Sequence, residues 1–352
     1  MTIAALARTE IRNLRAYRAA DACDHAVKLN ANESPLATGT HLSTGLNRYP
    51  ARRPEDLGRL MADHYGITAE NLMVTRGSSE GIDLLVRTFC TAGRDSVLIT
   101  PPVFEMYQVY ASIQGARTIH VSLQAENDFA VDASALLRAC DDRTKLIFLC
   151  SPNNPLGSVV PEKDILQILE SRAGQSVVVV DEAYIEYSDT DSLASLVCNY
   201  DNLVVLRTLS KALALAGARC GAVIASTALI RLLDGVLAPY ALSSPVIENA
   251  EYALSKEQLS LSRKAIRKTI DQREHLRREL LACSAVDTVW PSQANFLFVR
   301  FRCLDEVECC LETAGIAIRT YGHELQMPDC ARITISTERD NDRLISAIRG
   351  LD

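Results

Sequence analysis

The chain has 352 residues, enough for one large domain and a smaller one. With 48% hydrophobic residues, 23% charged residues and a formal net charge of -7, it supports a sizeable core and argues against wholesale disorder and against nucleic acid as a partner. No apolar stretch reaches membrane-spanning length, and Arg8 and Glu10 interrupt the N-terminus before an apolar core of signal-peptide length could form, so no membrane association and a cytoplasmic location are expected.

The eleven cysteines are an odd number and contain no CxxC pair. Cys150, Cys220 and the adjacent Cys309 and Cys310 lie within or beside apolar runs. Buried, reduced thiols are therefore expected rather than a disulfide framework, and no metal site is expected.

In chain order, short apolar runs come first: Leu72-Met73-Val74-Thr75, Val97-Leu98-Ile99-Thr100, Leu146-Ile147-Phe148-Leu149-Cys150, the four valines 177–180, and Leu203-Val204-Val205-Leu206. They are rich in β-branched residues and do not alternate with polar ones, which predicts strands buried on both faces of a mainly parallel sheet. Helix-like stretches lie between them, at 80–90 and 162–172, so the order implies an α/β layered domain. From about residue 250 the character changes. Residues 256–281 read as one long amphipathic helix, followed by strand-like stretches at 295–301 and 331–336. The expected organisation is a large domain over 31–249 and a smaller α+β domain built from 250–352 together with the N-terminal segment 1–30.

Ligands of open α/β sheets gather at the C-terminal ends of the strands. Four polar clusters fall there: Gly77-Ser78-Ser79-Glu80, Ser151-Pro152-Asn153-Asn154-Pro155, Asp181-Glu182-Ala183-Tyr184 and Thr208-Leu209-Ser210-Lys211. A lysine taken alone is ordinarily a solvated charge. Lys211, however, has the hydroxyls of Thr208 and Ser210 before it, a small apolar stretch at 212–217 and the fixed cation Arg219 after it. A lysine of lowered pKa in such a pocket can condense with an aldehyde, while hydroxyls and an arginine make a phosphate cradle. An aldehyde and a phosphate together describe pyridoxal phosphate.

Asp181 ends the valine run, where an unpaired charge is expensive; it either caps the next element or pairs with a cation such as a protonated pyridine nitrogen. Tyr184 and Asn154 can each donate to the cofactor's phenolic oxygen, although Asn-Pro pairs are also ordinary turn formers. Ser78 and Ser79 sit where a serine could simply cap a helix, or where the helix N-terminus binds an anion. Phe104 is either a core aromatic or a stacking partner for the cofactor ring.

Taken in order, these stretches resemble the fold-type I pyridoxal-phosphate aminotransferases, and among them the histidinol-phosphate aminotransferase family. The matching segments are Leu29-Asn30-Ala31-Asn32-Glu33, Asn47-Arg48-Tyr49-Pro50, residues 76–81, 151–157, 181–186 and 208–221, and Ala331-Arg332-Ile333-Thr334. They span nearly the whole chain, and TLSKALALAGARCG over 208–221 is the most specific.

The resemblance implies a large domain with a mainly parallel seven-stranded sheet plus a smaller α+β domain. It implies that Lys211 carries the cofactor and that Thr208, Ser210 and Arg219 contact its phosphate. Tyr49 is implied to reach that phosphate from the other subunit of a homodimer. Arg332 is implied to clamp the substrate carboxylate, with Arg319, Tyr17 and Asn32 also at the substrate.

The implied reaction is transamination between L-histidinol phosphate and 2-oxoglutarate, giving imidazole-acetol phosphate and L-glutamate, in histidine biosynthesis. An aromatic or broad-specificity aminotransferase and a threonine-phosphate decarboxylase are the neighbouring readings. A non-catalytic protein of this fold, such as the effector module of a regulator, is opposed by the intact Lys211, Asp181 and Tyr184 and by the lack of a basic DNA-binding extension. The chain departs from the family pattern at Ser79, Phe104, Leu156 and Ser336, none of which removes a catalytic group.

Overall fold

The structure, a computed structural model, describes residues 3–14, 31–36, 46–321 and 327–351. Two sheets organise it. The larger contains β1 (Leu72–Thr75), β2 (Ser96–Ile99), β3 (Arg117–His120), β4 (Thr144–Cys150), β5 (Val177–Asp181), β6 (Leu203–Thr208) and β7 (Gly221–Ala225), in the order β1-β7-β6-β5-β4-β2-β3. Pairings from β6 through β3 are parallel, and β7 runs antiparallel to both its neighbours.

The five apolar runs are all strands of this sheet. Each is buried because helices cover both of its faces: Leu149, Val178, Val180 and Val205 face one hydrophobic layer, and Phe148, Val177, Val179 and Val204 the other. Burying a valine of this kind stabilises by about 1.5–3 kcal/mol, which explains the absence of polar alternation. The helix expected at 80–90 is Gly77–Phe89, and that expected at 162–172 is Glu162–Ser171.

The smaller, antiparallel sheet comprises β8 (Val286–Val289), β9 (Phe296–Phe301), β10 (Arg319–Thr320) and β11 (Cys330–Thr334), in the order β10-β11-β9-β8. The long charged stretch is one helix, Lys256–Leu281, whose Ser255 side chain accepts from Gln258 N. Its first half packs Leu259, Ile266 and Ile270 on the large core, and its second half sends Leu276 and Leu280 into the small-sheet core. One helix thus spans both layers. The described N-terminal residues depart from the expected arrangement. Ile3 and Ala7 are buried with Ile82, Phe89 and Leu229 against the large sheet, because their apolar side chains complete that layer and not the small one.

A separate cluster joins the two units beside the strand ends. Leu123, Phe129 and Leu156 pack there against Trp290, Phe298 and Tyr321. Leu156, 1% exposed, accounts for its own departure from the family pattern: an apolar residue is needed to fill this seam. The turn around it leaves no room elsewhere. Gly157 has φ 80°, and a Cβ on it would stand 2.2 Å from Ser292 Oγ.

Candidate active site

The parallel strands end together, and their ends bring the polar clusters into one cavity of about 260 Å³. It is lined by Ser78, Ser79, Phe104, Cys150, Asn154, Asp181, Ala183, Tyr184, Thr208, Ser210, Lys211, Arg219 and Arg332. Eleven of the expected residues therefore converge from six separate segments.

Thr208 ends β6, and its Oγ1 lies 2.9 Å from Ser210 Oγ. Arg219, at φ 57°, turns its Nη1 back to 3.3 Å from the same Ser210 Oγ. Gly77 and Gly221 make this approach feasible: a Cβ on Gly77 would sit 2.8 Å from Arg219 Nη2, and one on Gly221 would meet the Gly77 backbone at 2.8 Å. Ser78 and Ser79 stand in the first turn of the helix Gly77–Phe89, whose leading N–H groups have no partners within the helix. Neither serine caps that helix, since its N-cap is Arg76. Hydroxyls, a guanidinium and a helix N-terminus with glycine clearance form a donor set that suits a phosphate.

Asp181 is 3% exposed at the end of β5. Its Oδ2 accepts from the Tyr107 hydroxyl at 2.9 Å, and its Oδ1 accepts from Ala183 N at 3.2 Å. Burial pushes this carboxyl up to about 6, against the Tyr107 and Ala183 hydrogen bonds and the charge of Lys211. A carboxylate so placed is poised to take a cationic partner. The Lys211 ammonium is pulled below its usual range by burial first, then by Arg332 and Arg219. Its Nζ lies 5.5 Å from the centre of the Tyr184 ring. Tyr184, 7% exposed, is held edge-on by Phe296 with ring centroids 5.1 Å apart, and burial raises its hydroxyl above the normal range.

Arg332, on β11, reaches across from the small sheet and donates to Asn154 Oδ1, with its guanidinium 5.3 Å from the Phe296 ring centre. Arg332, Asn154 and Phe104 are shared with a second, outer cavity of about 560 Å³. Arg319, Tyr321, Met327, Glu105 and Gln108 also line it. Arg319 pairs with Glu105 at 3.6 Å. The two cavities give an inner chamber with a lysine, a carboxylate and an anion cradle, opening into an outer one with two arginines. An aldehyde-bearing, phosphate-bearing aromatic cofactor fits the inner donor set.

Of the remaining expected residues, two are described and line neither cavity. Tyr17 lies outside the described residues. Asn32 is exposed at φ 53° and lines neither cavity. Tyr49 is 56% exposed, stacks on Tyr240 at 4.7 Å and lines neither cavity. Conversely, Tyr107, the partner of Asp181, was not anticipated: in sequence it is one aromatic in an apolar helix, with only the neighbouring Phe104 turn as a signal.

The family model for class I and II aminotransferases matches residues 11–348. The chain is 42% identical to a histidinol-phosphate aminotransferase of Xylella fastidiosa, over 99% of this chain and 97% of that one. It is likewise 42% identical to the enzyme of that name from Xanthomonas euvesicatoria, over 98% and 96%. Among solved structures, the histidinol-phosphate aminotransferase of Clostridium acetobutylicum shares the fold with a TM-score of 0.78 at 21% identity, covering 87% of this chain and 91% of that one. The Sinorhizobium meliloti enzyme, determined with pyridoxal-5'-phosphate, gives 0.78 at 24%, covering 87% and 84%. The chain therefore belongs to the class I and II aminotransferases, and its cofactor is pyridoxal phosphate.

Proposed function

We propose that the protein transfers the amino group of L-histidinol phosphate to 2-oxoglutarate, giving imidazole-acetol phosphate and L-glutamate in histidine biosynthesis. The observation that carries this reading is the 42% identity, over 99% of the chain, to an enzyme of that name. The paired Arg319 and Arg332 in the outer cavity support it, since a guanidinium takes a carboxylate or a phosphate with the same two-pronged geometry. The protein works as a cytoplasmic homodimer in this reading; among the described residues no helix is long and apolar enough to cross a membrane.

When bound, pyridoxal phosphate supplies an aldehyde carbon for the lysine and a protonated ring that draws electrons from the substrate Cα. Lys211 would hold it and, once the substrate amine has displaced the lysine nitrogen, would take and return the proton at the substrate Cα. Its depressed pKa keeps neutral amine available for that work, because burial and two nearby arginines penalise the ammonium. Asp181 would hold the ring nitrogen in its cationic form, with the Tyr107 hydroxyl fixing the carboxylate by donating to its Oδ2. Tyr184 and Asn154 donate to the phenolic oxygen. Ser78, Ser79, Thr208, Ser210 and Arg219 receive the phosphate, and Phe104 flanks the ring. Arg332 and Arg319, with Tyr17, receive the substrate anion, and Tyr49 serves the cofactor phosphate of the other subunit.

A coupled transaminase assay tests the reading by comparing histidinol phosphate with phenylalanine, aspartate and threonine phosphate as donors. Histidinol phosphate is expected to give the highest kcat/KM. A preference for phenylalanine, or decarboxylation of threonine phosphate, overturns it.

A further inference from the structure

The cofactor-facing groups and the anion clamp stand on different parts of the fold. Asp181 ends β5 and Tyr184 lies in the turn after it, both on the large sheet, while Arg332 belongs to β11 of the small one. A buried side chain that touches neither chamber ties the two together. Arg273, on the helix Lys256–Leu281, is 4% exposed. Its Nη1 donates to the carbonyl of Tyr187 at 3.1 Å and to that of Ala294 at 3.0 Å. Its Nε reaches Glu274 at 3.0 Å, which balances the charge.

Each of those carbonyls leads directly to a working group. Tyr187 closes the short turn that begins with Tyr184. Ala294 precedes β9, and Asn295 O accepts from Ile335 N at 3.0 Å, so β9 and β11 are locked in register with Phe298 opposite Arg332. Phe296 fills the space between, edge-on to Tyr184 at 5.1 Å and 5.3 Å from the Arg332 guanidinium. The same guanidinium nitrogen therefore holds the backbone that follows Tyr184 and the backbone that precedes Phe296, whose ring lies between Tyr184 and Arg332.

Buried carbonyls must find donors, and a donor shared by two segments holds them at one separation. We propose that Arg273 is a positioning residue for the reaction: it sets the distance of the Arg332 clamp from the Asp181–Tyr184 platform and so determines how tightly the substrate's anionic group is held. This rests on Arg332 receiving the substrate anion, as proposed above.

The test uses holoenzyme and inorganic phosphate as the probe, with binding followed through the absorbance of the lysine-linked cofactor. Arg332→Ala serves as the reference, identifying the part of the response that belongs to the clamp. Arg273→Met removes the hydrogen bonds to both carbonyls and is expected to weaken phosphate binding by about tenfold or more, since a displacement of about 1 Å remote from the chemistry can have effects of that order. The cofactor absorbance and its borohydride-reducible linkage should persist. Arg273→Lys keeps an ammonium able to donate to both carbonyls and is expected to stay within about threefold of wild type. In steady state, KM for anionic donors should rise in Arg273→Met more than kcat falls.

Wild-type phosphate affinity in Arg273→Met overturns the proposal. So does a parallel loss of cofactor and phosphate that Arg273→Lys does not restore, because that is the behaviour of a purely structural residue. Should Arg273→Met fail to fold, Arg273→Gln, which retains an amide donor, is read against the same two outcomes. The titration does not depend on which amino donor the enzyme prefers. A different donor preference would therefore overturn the proposed function while the phosphate result still judges Arg273.

Discussion

Lys211, Asp181 and Arg332 line one cavity and carry the chemistry of the proposed reaction, and the environment of each makes a distinct expectation. Lys211→Ala should remove the borohydride-reducible cofactor linkage and the visible absorbance that goes with it; retention of a reducible linkage would refute the assignment. For Asp181 the sign follows from its raised pKa, since a carboxyl shifted up to about 6 is ionised only above that value. The affinity of the cofactor-free protein for pyridoxal phosphate should therefore rise with pH through about 6 and level off above it. Asp181→Asn should lose that inflection and most of the turnover while still binding cofactor. Titrations on either side of pH ~6 with both proteins decide the matter. Arg332→Lys should weaken both half-reactions, because an ammonium cannot reproduce the two-pronged fork. Loss confined to one half-reaction would mean that the two anions bind at separate places.

At the level of elements, the site depends on turns that leave no space for a side chain. Gly221 opens β7 where a Cβ would meet Arg207 O at 2.7 Å and the Gly77 backbone at 2.8 Å, and these backbone atoms cannot move aside independently. Gly157 combines φ 80° with a Cβ position 2.2 Å from Ser292 Oγ. Gly157→Ala should accordingly destabilise the protein by about 1–3 kcal/mol or more, measured as a lower denaturant midpoint. It should also weaken anion binding, because the Asn153–Gly157 turn carries Asn154, the partner of Arg332. A midpoint equal to that of wild type would show that the turn relaxes without penalty.

For the whole molecule, Tyr49 is exposed and lines neither of its own chain's cavities, and in the proposed homodimer it would serve the neighbouring site. If Tyr49 serves the neighbour's cofactor, refolding Lys211→Ala together with a strongly impaired Tyr49 variant places both lesions in one site of each mixed dimer and leaves the other intact. Random reassortment makes about half the dimers mixed, so roughly a quarter of wild-type activity should return. If both residues act in one chain's site, nothing is regained despite proven subunit exchange. Each variant refolded alone provides the baseline.

The local character of the chain was enough to determine five strands of the large sheet, the long helix and the set of residues at the strand ends. Four consecutive valines before Asp181 can be satisfied only by a strand covered on both faces, and the charged stretch that became Lys256–Leu281 has one helical period throughout. Lys211, Thr208, Ser210 and Arg219 were legible together because they lie within one short segment. What the chain's local pattern did not reveal depends on contacts between residues far apart in sequence. The Tyr107–Asp181 bond joins positions 74 residues apart, the Asn154–Arg332 bond 178, and the Arg273–Tyr187 bond 86. Strand β7 was also hidden, since Gly221 to Ala225 gains its identity as the antiparallel member only by fitting between β1 and β6. The packing of Ile3 and Ala7 was hidden for the same reason: both are apolar in any context, and only the assembled core decides which layer has room for them. Backbone propensity and hydrophobic period act over a few residues, whereas partner choice across a packed interior depends on shape and charge that exist only after folding.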